Sequence, residues 1–542
     1  DASSTLGYSC TGEVIHVSSG VSELSVGDLV ACGGLTASHS EVISVPVNLC
    51  VRLKPDADLR QAAYNTLGGI AMQGVRQSDL RLGETCAIIG LGLLGQLSAL
   101  LLRASGVRVL GVDIDPKIVE IAKTNCLDIA FQRDKLGIEK KIQQFSDGLG
   151  CDAVIITAAT NSLDPINFSG AISRKKGTIV VVGAVPTGFN REPHFYKKEL
   201  QIKMSCSYGP GRYDPKYEAK GIDYPPAYVR WTEKRNMQAF QELIYSKKID
   251  VSPLTTHTFK LEEAPAAYDM ILAKSEPYIG ILIEYDTKKK IENKPIYTSN
   301  LKSQSLKSRA VNIGFIGAGS YAQSYLLPNI LKEKNVSFKG VMTATGTSSK
   351  SVAERYGFEF CTTNQKDIIE NDEINTIFIT TRHDSHARHV LEALKAGKHV
   401  FVEKPLCLTI QQLEEITEFL AQSSRLKAQS NKKIPESNDT NQRVNQLTNK
   451  PILMVGFNRR FSPIAKVIKE KLGEGPMAMT YRVNAGAIPK DSWIQDPDFG
   501  GGRIIGEVCH FVDFLSFING SLPVSVYANA LSDPNALNDT LT

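Results

Sequence analysis

"CAIIGLGLLGQ", residues Cys86 to Gln96, and "VNIGFIGAGSYAQ", residues Val311 to Gln323, decide the fold of this chain of 542 residues. Each stretch runs an apolar strand into glycines spaced Gly-x-Gly-x-x-Gly, with alanine in the last place of the second stretch. Glycines at this spacing allow a tight turn, a close approach of the backbone to a pyrophosphate, and close packing of the following helix. The two stretches lie too far apart to be halves of one fold. The chain is therefore predicted to hold two dinucleotide-binding domains.

The first fingerprint offers Gly90, Gly92 and Gly95 as candidate cofactor-binding residues. The helix that begins there presents amide donors and a partial positive charge to phosphate groups. Asp113 ends the next strand, "VRVLGVD", where its carboxylate can accept both hydroxyls of an adenosine ribose. We therefore predict NAD rather than NADP for this site. The alternative is a glycine-rich turn in an ordinary α/β domain.

The second fingerprint lacks an acid at the matching place. Its candidate cofactor contacts are Gly317, Gly319, Ser320 and Tyr321. After the strand "FKGVMTA", the segment from Thr343 to Lys350 carries hydroxyls and a lysine, which can hold a 2′-phosphate. NAD and NADP both remain open for this module.

Composition excludes several classes of function. The net charge of +5 is small for this length and gives no electrostatic reason for a nucleic-acid or membrane partner. The 10 cysteines are scattered singly, which argues against a zinc ribbon or a disulfide framework and favours a cytoplasmic location. Residues 85–102 carry no charge, but the three glycines among them favour a strand, turn and helix over a membrane span.

Changes of pattern along the chain predict an α/β protein with two Rossmann-type parallel-sheet domains. The expected order is a β-rich part at 1–63, a first Rossmann domain at 64–215, a return to the β-rich domain at 216–285, a linker at 286–309, a second Rossmann domain at 310–422, a polar insertion at 423–450, and a partial α+β substrate domain at 451–542. The chain begins with Asp1 inside a strand pattern and ends without a clear terminal element. We therefore expect a fragment of a longer protein.

"LSVGDLVA" (residues 24–31), the first fingerprint, and "HTFKLEEAPAAYDMI" (residues 257–271) resemble the medium-chain dehydrogenase/reductase superfamily, the fold of zinc alcohol dehydrogenases. The resemblance implies a GroES-like β-rich catalytic domain interrupted by the Rossmann domain. Zinc-dependent members carry Gly-His-Glu where this chain has Gly7-Tyr8-Ser9, and no cysteine lies near Asn65 and Thr66. Zinc needs three or four converging donors, so zinc is not expected here. The segment 207–236, dense in Tyr, Arg and Pro, either lines a substrate cleft or is a packed loop.

Glu403-Lys404-Pro405, "GFNRRF" (residues 456–461) and "GGRIIGEVCHFVDFL" (residues 501–515) resemble the Gfo/Idh/MocA oxidoreductases, which act mostly on sugars, inositols and related polyols with NAD or NADP. The whole chain is similar to bi-domain oxidoreductases that fuse the two families. By this resemblance, Lys404 lies between nicotinamide and substrate, and His510 is the catalytic acid/base. A lysine can polarise the substrate oxygen and a histidine can accept its proton near neutral pH.

The remaining candidates come from the same resemblance. Thr381, His386 and Glu403 are expected near the cofactor. Gly506 stands where the family often has an aspartate, so the following Glu507 is the candidate substitute. Asp513 either orients the His510 ring or caps local structure. His383, His386 and His389 are spaced by three, but no carboxylate or cysteine lies at a fitting spacing, so no metal is predicted.

These observations predict an NAD(P)-dependent dehydrogenase or reductase acting on a CH–OH group of a sugar- or polyol-like substrate, for example an activated sugar used in polysaccharide synthesis. The second module would transfer the hydride. A variant of this hypothesis has the first module active as well. The alternative is a nucleotide-sensing or scaffolding protein in which one or both sites are dead. A small-molecule substrate is the expected partner, and a homo-oligomer stays open.

Overall fold

The computed structural model describes residues 6–289, 294–298, 311–431, 451–473, 475, 477–486, 488–489 and 492–529. These residues form two compact units, and the division between them falls at residues 291 and 292. Each unit contains one of the two fingerprints.

The first unit begins with a small antiparallel sheet in the order β1-β2-β3. Its elements are β1 (Ser9–Glu13), β2 (Leu29–Gly33) and β3 (Cys50–Arg52), followed by helices α1 (Leu59–Ala62) and α2 (Asn65–Ser78). The Asp58 side chain starts α1 by accepting hydrogen bonds from the amides of Arg60 and Gln61. The small sheet therefore leads directly into the helical layer of the Rossmann domain.

A six-stranded parallel sheet forms the centre of the first unit. Its elements are β4 (Thr85–Ile89), α3 (Leu93–Ala104), β5 (Arg108–Asp113), α4 (Pro116–Asn125), β6 (Ala130–Gln132), α5 (Ile138–Phe145), β7 (Cys151–Ile156), α6 (Asp164–Ile172), β8 (Ser173–Val181) and β9 (Gln201–Met204). The strand order is β6-β5-β4-β7-β8-β9. All of β4 is buried, as expected for a sheet with both faces covered. The order reverses between β4 and β7, where open α/β sheets bind ligands at the carboxyl ends of the strands.

The first unit then returns to the β-rich part through a mostly helical segment. Its elements are α7 (Pro215–Glu218), α8 (Glu233–Tyr245), β10 (Thr255–Lys260), α9 (Ala264–Ala273) and β11 (Gly280–Glu284), with β10 and β11 paired in parallel. The tyrosine-rich segment before α8 is packed only in part, since Tyr213 and Tyr228 are largely exposed. Tyr217 is fully buried and its hydroxyl donates to Thr232 Oγ1 at 2.9 Å, and the Arg76 guanidinium lies 3.4 Å from the centre of the Trp231 ring.

The second unit is built on a seven-stranded sheet in the order β12-β15-β14-β13-β16-β17-β18. Its elements are β12 (Ile296–Tyr297), β13 (Val311–Ile316), α10 (Leu327–Ile330), β14 (Val336–Met342), α11 (Gly346–Tyr356), β15 (Phe360–Thr362), α12 (Lys366–Ile369), β16 (Thr376–Ile379), α13 (His383–Lys395), β17 (His399–Val402), α14 (Ile410–Asn431), β18 (Leu453–Val455), α15 (Pro463–Leu472) and α16 (Cys509–Asn519). Only β12 is antiparallel to its neighbour. Without β12, the chain order of these strands repeats that of the first sheet.

The predicted fold class is confirmed, and three of the expected boundaries differ in the structure. The strand β12 lies inside the expected linker and extends the second sheet, because Tyr297 packs on Phe360 at 5.7 Å between ring centres. The helix α14 continues into the expected polar insertion, whose residues 432–450 lie outside the described part. The strand β18 completes the Rossmann sheet by pairing with β17, although the long insertion separates it in sequence from the rest of that domain.

The charge-free stretch at residues 85–102 forms β4, the fingerprint turn and most of α3, as predicted. Among the described residues, no helix is long and apolar enough to cross a membrane.

Candidate active sites

The three glycines of the first fingerprint have three different structural roles. Gly90 has a φ of +97°, and a Cβ there would lie 2.6 Å from the amide nitrogen of Ala158. A Cβ on Gly95 would lie 2.0 Å from the carbonyl oxygen of Gly90. Gly92, in contrast, has no atom within 4 Å of its Cβ position. The loop is therefore closed on the protein side and open at Gly92, where a pyrophosphate can approach the backbone.

The second fingerprint has the same construction. Gly317 has a φ of +86°, and a Cβ there would lie 2.8 Å from the carbonyl carbon of Thr380. Gly319 has no atom within 4 Å of its Cβ position. Ser320 and Tyr321 are exposed in the helical turn that follows. Both loops thus leave the cradle that a dinucleotide pyrophosphate requires.

A glutamine side chain holds each loop at the same point. Gln96 Nε2 donates to the carbonyl oxygen of Leu91 at 2.8 Å, and Gln323 Nε2 donates to that of Ala318, also at 2.8 Å. Each glutamine lies six positions after the first glycine of its fingerprint. Sequence reasoning missed both residues, although an alignment of the two fingerprints with each other would have revealed them.

A threonine binds the same loop from the other side in each module. It directly follows β7 in the first sheet and β16 in the second. Thr157 Oγ1 donates to the carbonyl oxygen of Gly90 at 2.6 Å, and Thr380 Oγ1 donates to that of Gly317 at 2.7 Å. These residues join the first strand to the fourth at the place where strand order reverses. Thr381, the predicted cofactor contact, is the next residue, and its Oγ1 lies 2.7 Å from Ser385 Oγ.

The two modules differ beside the loop, at the end of the second strand. Asp113 accepts hydrogen bonds from the amides of Leu91 at 2.6 Å and Asp115 at 2.9 Å. Its two carboxylate oxygens keep further lone pairs for ribose hydroxyls. In the second module, Thr343 is buried and donates to the carbonyl oxygen of Thr345 at 2.8 Å. No carboxylate replaces it in the segment from Thr343 to Lys350.

Lys404 and the helix of His510 meet at the carboxyl edge of the second sheet. Lys404 Nζ donates to the carbonyl oxygen of Gly506 at 2.7 Å. Gly506 is the position at which the sequence lacks an aspartate, so a backbone oxygen provides the contact. Glu507 points elsewhere, because its carboxylate lies 3.6 Å from Arg503 Nε. The structure therefore brings Lys404 to the helical turn before His510 and does not pair it with Glu507.

The His510 ring is placed as an unbonded base. It is 8% exposed, and its Nδ1 has no hydrogen-bond partner among the described residues. Burial, followed by the positive charges of Lys404 and Arg459, lowers its pKa to about 4. The imidazole is therefore neutral near pH 7 and able to accept a proton.

Asp513 does not hold the His510 ring. The Arg460 guanidinium donates two hydrogen bonds to the Asp513 carboxylate. One runs from Nε to Oδ2 at 2.8 Å, and the other runs from Nη2 to Oδ1. This ion pair joins the turn Asn458–Phe461 to α16, so two motifs separated in sequence meet in space. Asp513 thus matches neither sequence-based alternative, because its partner Arg460 lies 53 residues away in the chain.

Glu403 and His386 surround Lys404 on the sheet side. Burial raises the pKa of Glu403 to about 7, against the lowering effect of the Lys404 amide and charge. His386 is fully buried, with Nδ1 2.7 Å from the carbonyl oxygen of Pro405 and Nε2 3.1 Å from that of Thr381. His386 therefore fixes the backbone on either side of the site, and its ring atoms are not free for a ligand.

In the first module, Tyr8 stands where zinc-dependent members carry histidine, and the nearby Ser9 and Thr66 are already bonded within the protein. Ser9 Oγ donates to the carbonyl oxygen of Ala63 at 2.7 Å and accepts from the Thr66 amide at 3.2 Å. Thr66 Oγ1 donates to the carbonyl oxygen of Tyr8 at 3.1 Å. These hydroxyls are poor zinc donors and are already bonded. Within the described part of the chain, no three His, Cys, Asp or Glu side chains converge as a metal site would require.

Each of the two units contains a segment that matches a different family model. The family model described as an oxidoreductase family with an NAD-binding Rossmann fold matches residues 311–430. The model described as zinc-binding dehydrogenase matches residues 94–219.

Curated relatives include D-guloside 3-dehydrogenase of Escherichia coli K12, which is 26% identical over 272 residues, covering 48% of this chain and 72% of the relative. Sorbitol dehydrogenase of Halalkalibacterium halodurans is 24% identical over 317 residues, covering 52% of this chain and 82% of the relative. Among solved structures, 2R,3R-butanediol dehydrogenase from Bacillus subtilis aligns with a TM-score of 0.41 and 20% identity, covering 51% of this chain and 79% of that structure.

The two family matches fall in different compact units, and the first of them begins at residue 94, just after Gly92. One description names a dehydrogenase and the other an NAD-binding oxidoreductase family. The two matches therefore support a two-module oxidoreductase.

Proposed function

We propose that the second module transfers a hydride between NAD or NADP and a CH–OH group of a sugar- or polyol-like substrate, and that the first module binds NAD without zinc. The observation that carries the proposal is the 2.7 Å bond from Lys404 Nζ to the carbonyl oxygen of Gly506. This bond supports the proposal because it joins Lys404, which follows β17, to the helical turn before His510.

The chemistry follows from the two side chains. An oxidised nicotinamide cofactor held at the Gly319 loop would supply the acceptor for the hydride of the carbinol carbon. Lys404 donates a hydrogen bond to the substrate oxygen and stabilises the negative charge that develops there. The neutral His510 accepts the hydroxyl proton, and in the reverse direction it returns that proton to the carbonyl oxygen. Lys404 cannot itself accept the proton while it carries its positive charge.

The substrate class rests on the relatives. Their names include D-guloside 3-dehydrogenase, D-xylulose reductase and sorbitol dehydrogenase, all of which are named for sugars or polyols. We extend this class to the present chain. An activated sugar used in polysaccharide synthesis is a narrower hypothesis within the same class.

The first test is a titration of NADH and NADPH into the protein, followed by fluorescence and by heat, with Gly92→Trp and Gly319→Trp variants. Each tryptophan would fill the open space of one loop, so each variant should remove one of two binding events. Gly12→Trp is the matched control, because Gly12 also has no atom within 4 Å of its Cβ position but lies in β1, away from both loops.

Turnover is then measured with NAD⁺ and NADP⁺ on a panel of polyols and glycosides. Reduction of either cofactor that is lost in Gly319→Trp and kept in Gly92→Trp would support the proposal. Two binding events without turnover would favour the nucleotide-sensing alternative. A loss of turnover confined to Gly92→Trp would assign the reaction to the first module, and an absence of binding would exclude a dehydrogenase function.

A further inference from the structure

Three cysteines lie side by side across the small antiparallel sheet of the first unit. Cys10 in β1 is directly opposite Cys32 in β2, and Cys32 is directly opposite Cys50 in β3. Directly opposite residues on neighbouring antiparallel strands project from the same face of the sheet. Cysteines that are scattered in sequence therefore form a continuous row in space.

The sulfur atoms of this row are in contact. Cys32 Sγ lies 3.7 Å from Cys50 Sγ, and a hydrogen bond from Cys32 lowers the pKa of the Cys10 thiol. Cys32 and Cys50 are 4% and 7% exposed, whereas Cys10 is only partly buried. Opposite residues in an antiparallel sheet have Cα atoms about 4.5–5.5 Å apart, which lies within the range that a disulfide spans.

We propose that Cys10, Cys32 and Cys50 form a thiol oxidation site, in which a peroxide converts the central Cys32 and one neighbour into a cross-strand disulfide. All three cysteines are free thiols in the structure. Cys32 is the shared partner, so the site forms one disulfide at a time and leaves the third thiol reduced.

The partly exposed Cys10 is the point of entry for the oxidant. Its thiolate attacks one oxygen of the peroxide, the O–O bond breaks, and a sulfenic acid and hydroxide are formed. The Cys32 sulfur then attacks the Cys10 sulfur, forms the S–S bond and displaces the sulfenic oxygen as water, with the Cys32 proton leaving in the same step. The two cysteines are oxidised by two electrons in total and the peroxide is reduced. Cys50 can next attack Cys32, which transfers the disulfide to the Cys32–Cys50 pair and releases Cys10 as a thiol.

The row of cysteines also lies beside the residues at the start of α2. Ser9, next to Cys10, is bonded to both Ala63 and Thr66 at the start of α2. A Cys10–Cys32 disulfide would fix β1 to β2 at the position that carries these contacts. Oxidation should therefore reduce the local opening of β1.

The test uses the full chain after complete reduction and removal of the reductant. Hydrogen peroxide is added in about equimolar amount, remaining thiols are alkylated, and the disulfide-linked peptides are identified by mass spectrometry without reduction. We expect peptides of Cys10 and Cys50 linked to that of Cys32, and slower amide hydrogen exchange in Ser9–Glu13 after oxidation. The exposed Cys206 serves as an internal reference for simple peroxide reactivity.

Variants separate this site from general oxidation. Cys32→Ser should abolish both linkages, while Cys50→Ser should keep the Cys10–Cys32 linkage. Retention of NADH binding by Cys32→Ser in a Gly319→Trp background, where only the Gly92 loop is open, would show that the first unit is folded, and Cys32→Ala provides a second variant if it is not. The buried pair Cys86 and Cys151, which are not opposite each other in the register of β4 and β7, should stay reduced. Oxidation limited to Cys206, or linkages that persist in Cys32→Ser, would overturn the proposal.

Discussion

Between the two fingerprint loops, the bonds that shape the backbone are the same. In each, a glutamine and a threonine hold the carbonyl oxygens of the first glycine and the residue after it, at distances between 2.6 and 2.8 Å. In each, the amide of the first glycine donates to the end of the second strand at 2.8 Å. The two modules of this chain thus share one backbone arrangement, which leaves the loop open for the close approach of a pyrophosphate.

The edges around the loops differ completely. The second module brings the Lys404 ammonium and the His510 imidazole to the carboxyl ends of its strands. In the first module, Ser9 of β1 and Thr66 of α2 are bonded to backbone atoms and to each other. The comparison shows that the shared Rossmann sheet determines where a dinucleotide lies, whereas the segments inserted around it determine whether reactive groups meet it.

The largest effect is expected when Lys404 of the second module is replaced. Lys404→Met should reduce turnover of the substrate found in the polyol panel by about 1,000-fold, because it removes the charge that stabilises the substrate oxygen. Binding of NADH to both loops should be kept, since neither loop depends on Lys404. Steady-state turnover and cofactor titration measure the two quantities.

Lys398→Met is the matched control for this change. Lys398 is buried in the same unit and also donates to one backbone carbonyl, that of Asn371 at 2.8 Å, but it lies before β17 and not after it. Its loss should lower stability and leave turnover per folded molecule unchanged. Equal losses of turnover in both variants would remove the assigned role of Lys404.

The first module holds a fully buried carboxyl group. Glu233, at the start of α8, is fully buried, and neither of its carboxylate oxygens has a hydrogen-bond partner among the described residues. Burial and the negative charge of Glu218 raise its pKa to about 8, with Arg212 acting in the opposite direction. Tyr208 faces the same carboxylate, and the hydroxyl of Tyr208 also lacks a partner within the described residues.

This acid predicts a stability that falls as pH rises. The unfolded carboxyl loses its proton near pH 4.3, whereas the folded one keeps it until about pH 8, so the folded state binds more protons between these values. The free energy of unfolding should therefore decrease by up to about 1.4 kcal/mol per pH unit from this group alone. Glu233→Gln should remove that slope. Its free energy of unfolding should therefore rise steadily relative to that of the natural protein between pH 5 and pH 8.

Urea unfolding of the first unit, followed by Trp231 fluorescence in a Trp493→Phe background, measures this slope. Glu242→Gln changes an exposed carboxyl on the same helix and should leave the pH profile unchanged. Parallel profiles for the natural protein and Glu233→Gln would show that Glu233 is ionised in the folded state.

The third prediction concerns the residue that ends the second strand of each sheet. Asp113→Ser should weaken NADH binding by the first module about tenfold and reduce its preference over NADPH, because a carboxylate that would bind ribose hydroxyls is lost. The second module should be insensitive to this change. In a Gly92→Trp background, Lys350→Met should weaken NADPH binding without affecting NADH, if the exposed lysine meets a 2′-phosphate. An unchanged preference in both variants would locate cofactor selection elsewhere.

The sequence predicted most of what depends on local pattern. The roles of Gly90 and Gly92 and the burial of β4 follow from neighbouring residues. Contacts between distant segments were not predictable in the same way. The bond of Lys404 to the Gly506 carbonyl and the pairing of Arg460 with Asp513 join residues whose distance is set by the whole domain. The cysteine row likewise depends on strand register, which single cysteines do not reveal.

The smallest expected effect tests the similarity of the two loops directly. Gln96→Leu and Gln323→Leu each remove one hydrogen bond to a loop carbonyl while keeping a side chain of similar size. A single intramolecular hydrogen bond contributes about 1 kcal/mol, so each variant should weaken NADH binding at its own loop by roughly fivefold and leave the other loop unchanged. Titration in the Gly319→Trp and Gly92→Trp backgrounds isolates one loop at a time. Because Gln96 is fully buried and Gln323 only partly so, the first loop should suffer more from the substitution. A weakening of NADH binding at only one loop would show that the same hydrogen bond contributes differently to cofactor affinity in the two modules. Equal weakening at both loops would show that its contribution is the same.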